Sequence, residues 1–240
     1  MSTGVVIRAE IDEIAALRAH SSAVPPTRVY LEVGKRRVFA CTLEWPGWCR
    51  SGKTEEAALD ALGTYAARYA QIAEAAGVRF PKTSSVSFDV VERIAGSAAT
   101  DFGALDKPAD ADRNRLTKAQ AERIAALVDA AWQYFDHVVS NAPSSLRKGP
   151  RGGGRDRDKI VDHVLGAEVS YVRKIALKFR QPAIDDGAAI AEIRAATLEI
   201  LRAARAPEPD VAKGWPYRYA ARRIAWHVLD HAWEIEDRSE

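Results

Sequence analysis

Cysteine and methionine are almost absent from this 240-residue chain, which has two of the first (Cys41 and Cys49) and one of the second. Two cysteines cannot build the disulfide framework of a small secreted scaffold, so a reducing, cytoplasmic setting is the expectation. Long apolar runs are missing as well. None approaches the roughly 18 residues a membrane span needs, and the opening Met1–Ile7 does not read as a signal peptide, so no membrane association is expected. An excess of one charge is also lacking: 35 Lys and Arg against 33 Asp and Glu leave a net +2. That balance argues neither for nor against nucleic acid, and none is expected as a partner. Histidine is scarce too, with five residues, so the position of each one carries information.

What is present is enough chain for one large domain or two small ones, each able to bury a core. The first 97 residues read as an α+β domain: an antiparallel sheet with a long helix. Val5–Ala9 is a short strand candidate and Glu10–His20 a helix candidate. Arg28–Val33 and Arg36–Glu44 are β-type runs separated by a Gly34-Lys35 turn, which predicts an antiparallel hairpin with both faces covered. A turn-rich loop, Trp45–Lys53, leads into a helix over Thr54–Ala76, with Thr54 as N-cap and Glu55 and Glu56 at the positive end of the dipole. Val86–Ile94 is one more strand. Residues 98–115, rich in Ala, Asp, Gly and Pro without periodicity, read as a linker.

Residues 116–240 read as all helix. Leu116–Ser140 places Ile124, Leu127, Val128, Ala131, Phe135 and Val138 on one stripe, Asp156–Phe179 starts at an Asp N-cap, Asp186–Ala204 stops before Pro207 and Pro209, and Pro216 opens the last helix. Four amphipathic helices over this length predict an up-down four-helix bundle.

The last helix carries His227-Val-Leu-Asp-His231. Residues four apart share a helix face, with Cβ atoms roughly 5–6 Å apart, so both imidazoles can reach one ion. Ala220, Ile224, Val228 and Ile235 lie on the same arc, while Arg222, Asp230, Glu236 and Asp237 fall outside it. Two histidines on an inward face need something to pair them: a metal, or hydrogen bonds as a buried structural pair. A bundle site needs ligands from facing helices. His20 lies in the other domain and His137 falls opposite the apolar stripe of its helix. His163 shares the core side of its helix with Ile160, Val164, Ala167 and Tyr171, near the small Gly166 and Ser170. Three imidazoles, His163, His227 and His231, would fill three positions and leave others for water or substrate. Glu234, three residues beyond His231, is the candidate catalytic carboxylate, to orient a ligand or move a proton; otherwise it is an exposed helix carboxylate.

One histidine on the second bundle helix and His-x3-His on the last resembles the DinB/YfiT superfamily of metal-binding four-helix bundles, over residues 116–240. The resemblance implies that His163, His227 and His231 are ligands to a divalent metal (Zn, Ni, Fe or Mn). It also implies thiol-dependent transfer or isomerisation with a low-molecular-weight thiol such as mycothiol. The chemistry suits a thiol, because coordination strips the proton from a group whose pKa is ordinarily near 8.5. The bound thiolate would then attack a small-molecule electrophile.

Two other stretches bear on function. Arg147–Lys159 holds six basic and two acidic residues around a Gly-rich core and enters the N-terminus of the helix bearing His163. Arg151 and Arg155 are candidates for clamping an anionic group of a substrate, the alternatives being a nucleic-acid loop or a solvated connector. Gly47–Thr54 matches the phosphate-loop pattern GxxxxGK[ST]. A preceding antiparallel hairpin, the bulk of Trp48 and the lack of a following magnesium-binding Asp argue against that reading. The run Val38–Leu59, with its Trp45-Pro46-Gly47-Trp48 turn and Glu55-Glu56-Ala57 helix start, is similar to HicB-type antitoxin domains, over residues 28–94. That resemblance implies a protein-interaction or dimerisation module, hence a protein partner or a homodimer. The alternative to an enzyme is therefore a non-catalytic binding protein with the bundle as scaffold or sensor.

Overall fold

The computed structural model describes residues 25–149, 153–203 and 214–239; the strand and helix candidates at Val5–Ala9 and Glu10–His20 lie outside them. The described elements are strands β1 (Thr27–Val33), β2 (Val38–Thr42), β3 (Cys49–Gly52) and β4 (Phe88–Ala95), and helices α1 (Glu55–Thr64), α2 (Ala66–Ala75), α3 (Ala98–Phe102), α4 (Lys118–Asn141), α5 (Arg157–Val172), α6 (Gly187–Arg202) and α7 (Tyr217–Ser239).

The hairpin forms as its pattern dictates, with Tyr30 opposite Cys41 and Val33 opposite Val38. The sheet order is β3-β2-β1-β4, and β4 runs parallel to β1. The sheet is therefore mixed, not antiparallel. The helical crossover after β3 returns the chain to the far edge in the direction of β1, a connection that a hairpin turn cannot make. The Trp45–Lys53 stretch also supplies a strand the sequence did not announce: β3 pairs antiparallel with β2, and directly opposed Cys41 and Cys49 are joined as a disulfide.

Side-chain alternation along the two central strands sends one set each way. Val29, Leu31, Val38 and Ala40 face α1 and α2 through Ala58, Leu62 and Tyr69, with Trp48 wholly buried among them. The indole of Trp48 stacks on Tyr69 at 5.6 Å, and its Nε1–H donates to the Leu62 carbonyl at 2.9 Å. Tyr30, Phe39 and Cys41 face the other way, onto Leu105, Ala109 and Trp226. Both faces are covered, as the pattern predicts. The single long helix over Thr54–Ala76 is instead two, broken at Thr64-Tyr65. Thr64 Oγ1 donates back to the Asp60 carbonyl, a contact that bends helices, beside the helix-poor Gly63.

Residues 98–115 pack as structure where the sequence predicts a linker. Ser97 caps α3 in a capping box with Thr100. The buried Glu32 carboxylate accepts from Thr100 Oγ1 and from the Asp106 and Lys107 N–H groups, the latter two at 3.1 Å. The 3-10 turn Asp110–Arg113 buries Asp112. The signal lay in caps and single buried polar groups, which periodicity does not register.

α4 packs along α7 and α6, and α5 along α7 and α6. α4 begins at a Thr117/Gln120 capping box and buries the predicted stripe. α7 is enclosed on nearly all sides: every residue from Tyr219 to Leu229 is buried. Trp226 meets Phe39 edge-on at 5.8 Å and Trp233 meets Tyr65 at 4.9 Å, so both indoles seal α7 against the sheet and its helices. Arg222, placed outside the inward arc by the sequence, is also buried, ion-paired with Asp112. The arc accounts for one neighbour of α7, and the sheet supplies a second.

Candidate metal centre

His163 projects from α5 and His227 and His231 from α7, and the three offer ligand nitrogens that all lie within 4.8 Å of one another. His227 Nε2 and His163 Nε2 are 3.3 Å apart. That is long for a hydrogen bond. It matches the roughly 3.3 Å edge between two nitrogens on a tetrahedral ion with bonds of about 2.0–2.1 Å. Closing all three nitrogens onto one ion asks for side-chain adjustment of no more than about 1.5 Å, the excess of the widest allowed separation over that edge.

The protonation states suit ligation. Burial, followed by the fields of His231 and nearby arginines, holds His227 well below the ordinary histidine pKa; burial and the His231 field lower His163 in the same direction. Both rings are therefore neutral near pH 7, with a lone pair to give. His231 Nδ1 donates to Glu234 Oε2 at 2.8 Å, and Glu234 Oε1 accepts from Arg238 Nη1 at 2.6 Å. The hydrogen bond to His231, ahead of the arginine, holds the Glu234 carboxyl below the usual range. A carboxylate on Nδ1 fixes the tautomer that leaves Nε2 free for an ion. The His227 Nδ1 atom is buried with no partner among the described residues.

Chain, loop and pocket set the surroundings. Tyr171 lies edge-on to His227 at 5.5 Å, and Trp226 lies 6.1 Å from the same ring. Gly166 does not open space for an ion: a Cβ there would meet the Gln181 amide at 2.8 Å, so the glycine accommodates Gln181. Ser170 is exposed and bonds back to the Gly166 carbonyl. His137 is exposed on α4, away from the cluster, as its helix position predicts. Of the proposed anion clamp, Arg151 lies outside the described residues. Arg155 is exposed, its charge reaches His163 and His227, and its carbonyl accepts from Arg238 Nη2 at 2.7 Å. A cavity of about 620 Å³ lies between the basic loop and Glu234, walled by Arg147, Lys148, Gly149 and Arg238.

The phosphate-loop match dissolves. Gly52 ends β3 against the backbone of Ala57 and Ala58, and Thr54 spends its hydroxyl capping α1 through the Ala57 N–H. Compared with known proteins, the chain matches no family model, no curated protein and no solved structure. The site therefore rests on its own geometry. No helix of the described residues is long and apolar enough to cross a membrane.

Sequence reasoning missed Arg223, one helical turn before His227. Its guanidinium lies 4.7 Å from the centroids of both Tyr171 and Trp226, at 7% exposure. The four-residue spacing Arg223-His227-His231 was the available signal.

Proposed function

We propose that the chain is a divalent-metal enzyme of the DinB/YfiT kind, with α4, α5, α6 and α7 forming an up-down four-helix bundle around the ion. His163, His227 and His231 are its ligands, and the reaction uses a low-molecular-weight thiol. The observation that carries this reading is the meeting of three imidazoles from two helices, one oriented by a carboxylate. A bound divalent cation would supply Lewis acidity and lower the pKa of a coordinated thiol or water. The protein's own groups do the rest. Glu234 holds His231 in the ligating tautomer and Arg238 holds Glu234. Tyr171 and Trp226 keep bulk water from the His227 side, and the cavity beside Glu234 offers room for the rest of a thiol carrier.

Elemental analysis of the purified full chain tests the metal: one equivalent of a divalent transition metal per chain is expected, and a metal-free protein after expression in supplemented medium sinks the proposal. Turnover of small electrophiles with a panel of low-molecular-weight thiols tests the reaction class. Absence of turnover with metal bound would leave a binding protein whose sheet part recruits a partner.

A further inference from the structure

Beside the histidine cluster lies a cation without an ion-pair partner among the described residues. Arg223 sits one helical turn before His227 on the same stripe of α7, and its field reaches the His227 ring. Only 7% exposed, it lies against the faces of Tyr171 and Trp226. Among the described residues its Nη1, which is buried, has no hydrogen-bond partner, and no carboxylate forms an ion pair with it. Tyr171, whose hydroxyl is its polar neighbour, is kept protonated by burial and offers no charge. Asp106 feels the guanidinium, but it is paired with Lys107 at 3.3 Å.

The residue beside it shows what a structural arginine looks like in this fold. Arg222 is equally buried and, although its Nε and Nη1 are also without partners among the described residues, its charge is met by the Asp112 carboxylate. Burying a guanidinium costs several kcal/mol unless an anion answers it, and Arg presents a planar fork that matches a carboxylate with two parallel hydrogen bonds. Cation–π contact with two rings offsets part of that cost and holds the fork in place, but it leaves Nη1 without an acceptor among the described residues. Trp215, 5.4 Å from Tyr171, extends the aromatic wall.

We propose that Arg223 recognises the carboxylate of a small organic acid that enters the histidine site beside the ion. This deepens the metal-enzyme reading and rests on it: the electrophile, or the thiol carrier, bears a carboxylate, and Arg223 is its specificity determinant. Arg223 is a binding residue in this scheme, with no proton transfer assigned to it.

The experiment uses the full chain loaded with zinc and titrates it calorimetrically with benzoate and with its neutral isostere benzamide. Benzoate binding, with benzamide at least tenfold weaker, is expected of the wild type. Arg223→Gln is expected to lose at least tenfold in benzoate affinity while its zinc content stays at the wild-type value. Arg223→Lys, which keeps the charge but not the fork, should fall between the two. Equal affinity for benzoate in wild type and Arg223→Gln, or equal affinity for the two ligands in the wild type, overturns the proposal. Should Arg223→Gln not fold, the wild-type ligand comparison and Arg223→Lys decide alone. Repeating the titration without zinc separates the two readings. A chain that takes up no zinc yet prefers benzoate through Arg223 refutes the metal centre and keeps the anion site; a chain that holds zinc without preference refutes Arg223 and keeps the metal.

Discussion

At the residue scale, the centre depends on each imidazole differently. His227 is the most enclosed of the three, so His227→Ala removes a ligand that water cannot easily replace; bound metal should fall from one equivalent to none, while exposed His137→Ala keeps the full equivalent. Loss of metal in both variants would show that the ion sits elsewhere. Glu234→Gln tests orientation as distinct from ligation. The amide still reaches His231 but no longer offers a charged acceptor, and loss of such an outer partner typically weakens metal affinity about 10–100-fold. A competition titration against a chromophoric chelator should read that change, with full occupancy regained at saturating metal; an unchanged affinity would make Glu234 a surface carboxylate after all. The meeting of His163, His227 and His231 was legible in the sequence because a four-residue spacing puts two histidines on one helix face and the apolar periodicity turns His163 toward the same core. Asp112 was not, since a buried charge shows only once its surroundings are known, and Arg223 offered no more than its four-residue spacing to His227.

At the scale of the element, α5 turns two faces to different tasks. One presents His163 to α7. The other buries Glu168, which accepts from the Trp132 indole N–H and whose pKa burial pushes up to about 7. An unfolded glutamate titrates near 4.5, so the folded state holds the proton more tightly. This contribution is fully present below about pH 4.5 and is lost as the pH rises through about 7. Glu168→Gln keeps the shape without the ionisation. It should flatten the decline in stability between pH 5 and 8 and gain on the order of 1–3 kcal/mol at pH 8, measured by urea unfolding. Parallel curves for the two proteins would place Glu168 in contact with water. Helix starts were readable in part at this scale: Thr54 caps α1 as its residue type predicts, whereas Asp156 stands at the N-cap position of α5 but gives its carboxylate to the Leu146 N–H and Lys148 instead of to the helix. The direction of β4 and the course of residues 98–115 were not. Parallel and antiparallel strands share the same period-two pattern, and a segment held by caps and one buried carboxylate has no period to detect.

At the scale of the molecule, α7 joins sheet and helices into one core. Its ion pair with the 3-10 turn, Arg222 to Asp112, is nearly solvent-free at 5% and 0% side-chain exposure. Removing one partner of such a pair strands the other, at a typical cost of about 3–5 kcal/mol, whereas replacing both with apolar groups is often neutral. Asp112→Ala should therefore lower the unfolding midpoint sharply, and Asp112→Ala with Arg222→Met should recover most of the loss; equal destabilisation in both would mean the pair is not the cause. An ion held only by the folded chain adds stability by mass action, about 2.7 kcal/mol at 100 times its dissociation constant. Chelation should accordingly lower the melting temperature of the wild type and leave His227→Ala unmoved.

The indole of Trp226 lies 6.1 Å from the His227 ring and edge-on to Phe39, and this has an optical consequence. A paramagnetic ion such as Cu²⁺ arriving at the histidines would quench the ultraviolet emission of a side chain seated on the β-sheet. Entry of such an ion should thus appear as a loss of tryptophan fluorescence, in the native chain and without a label.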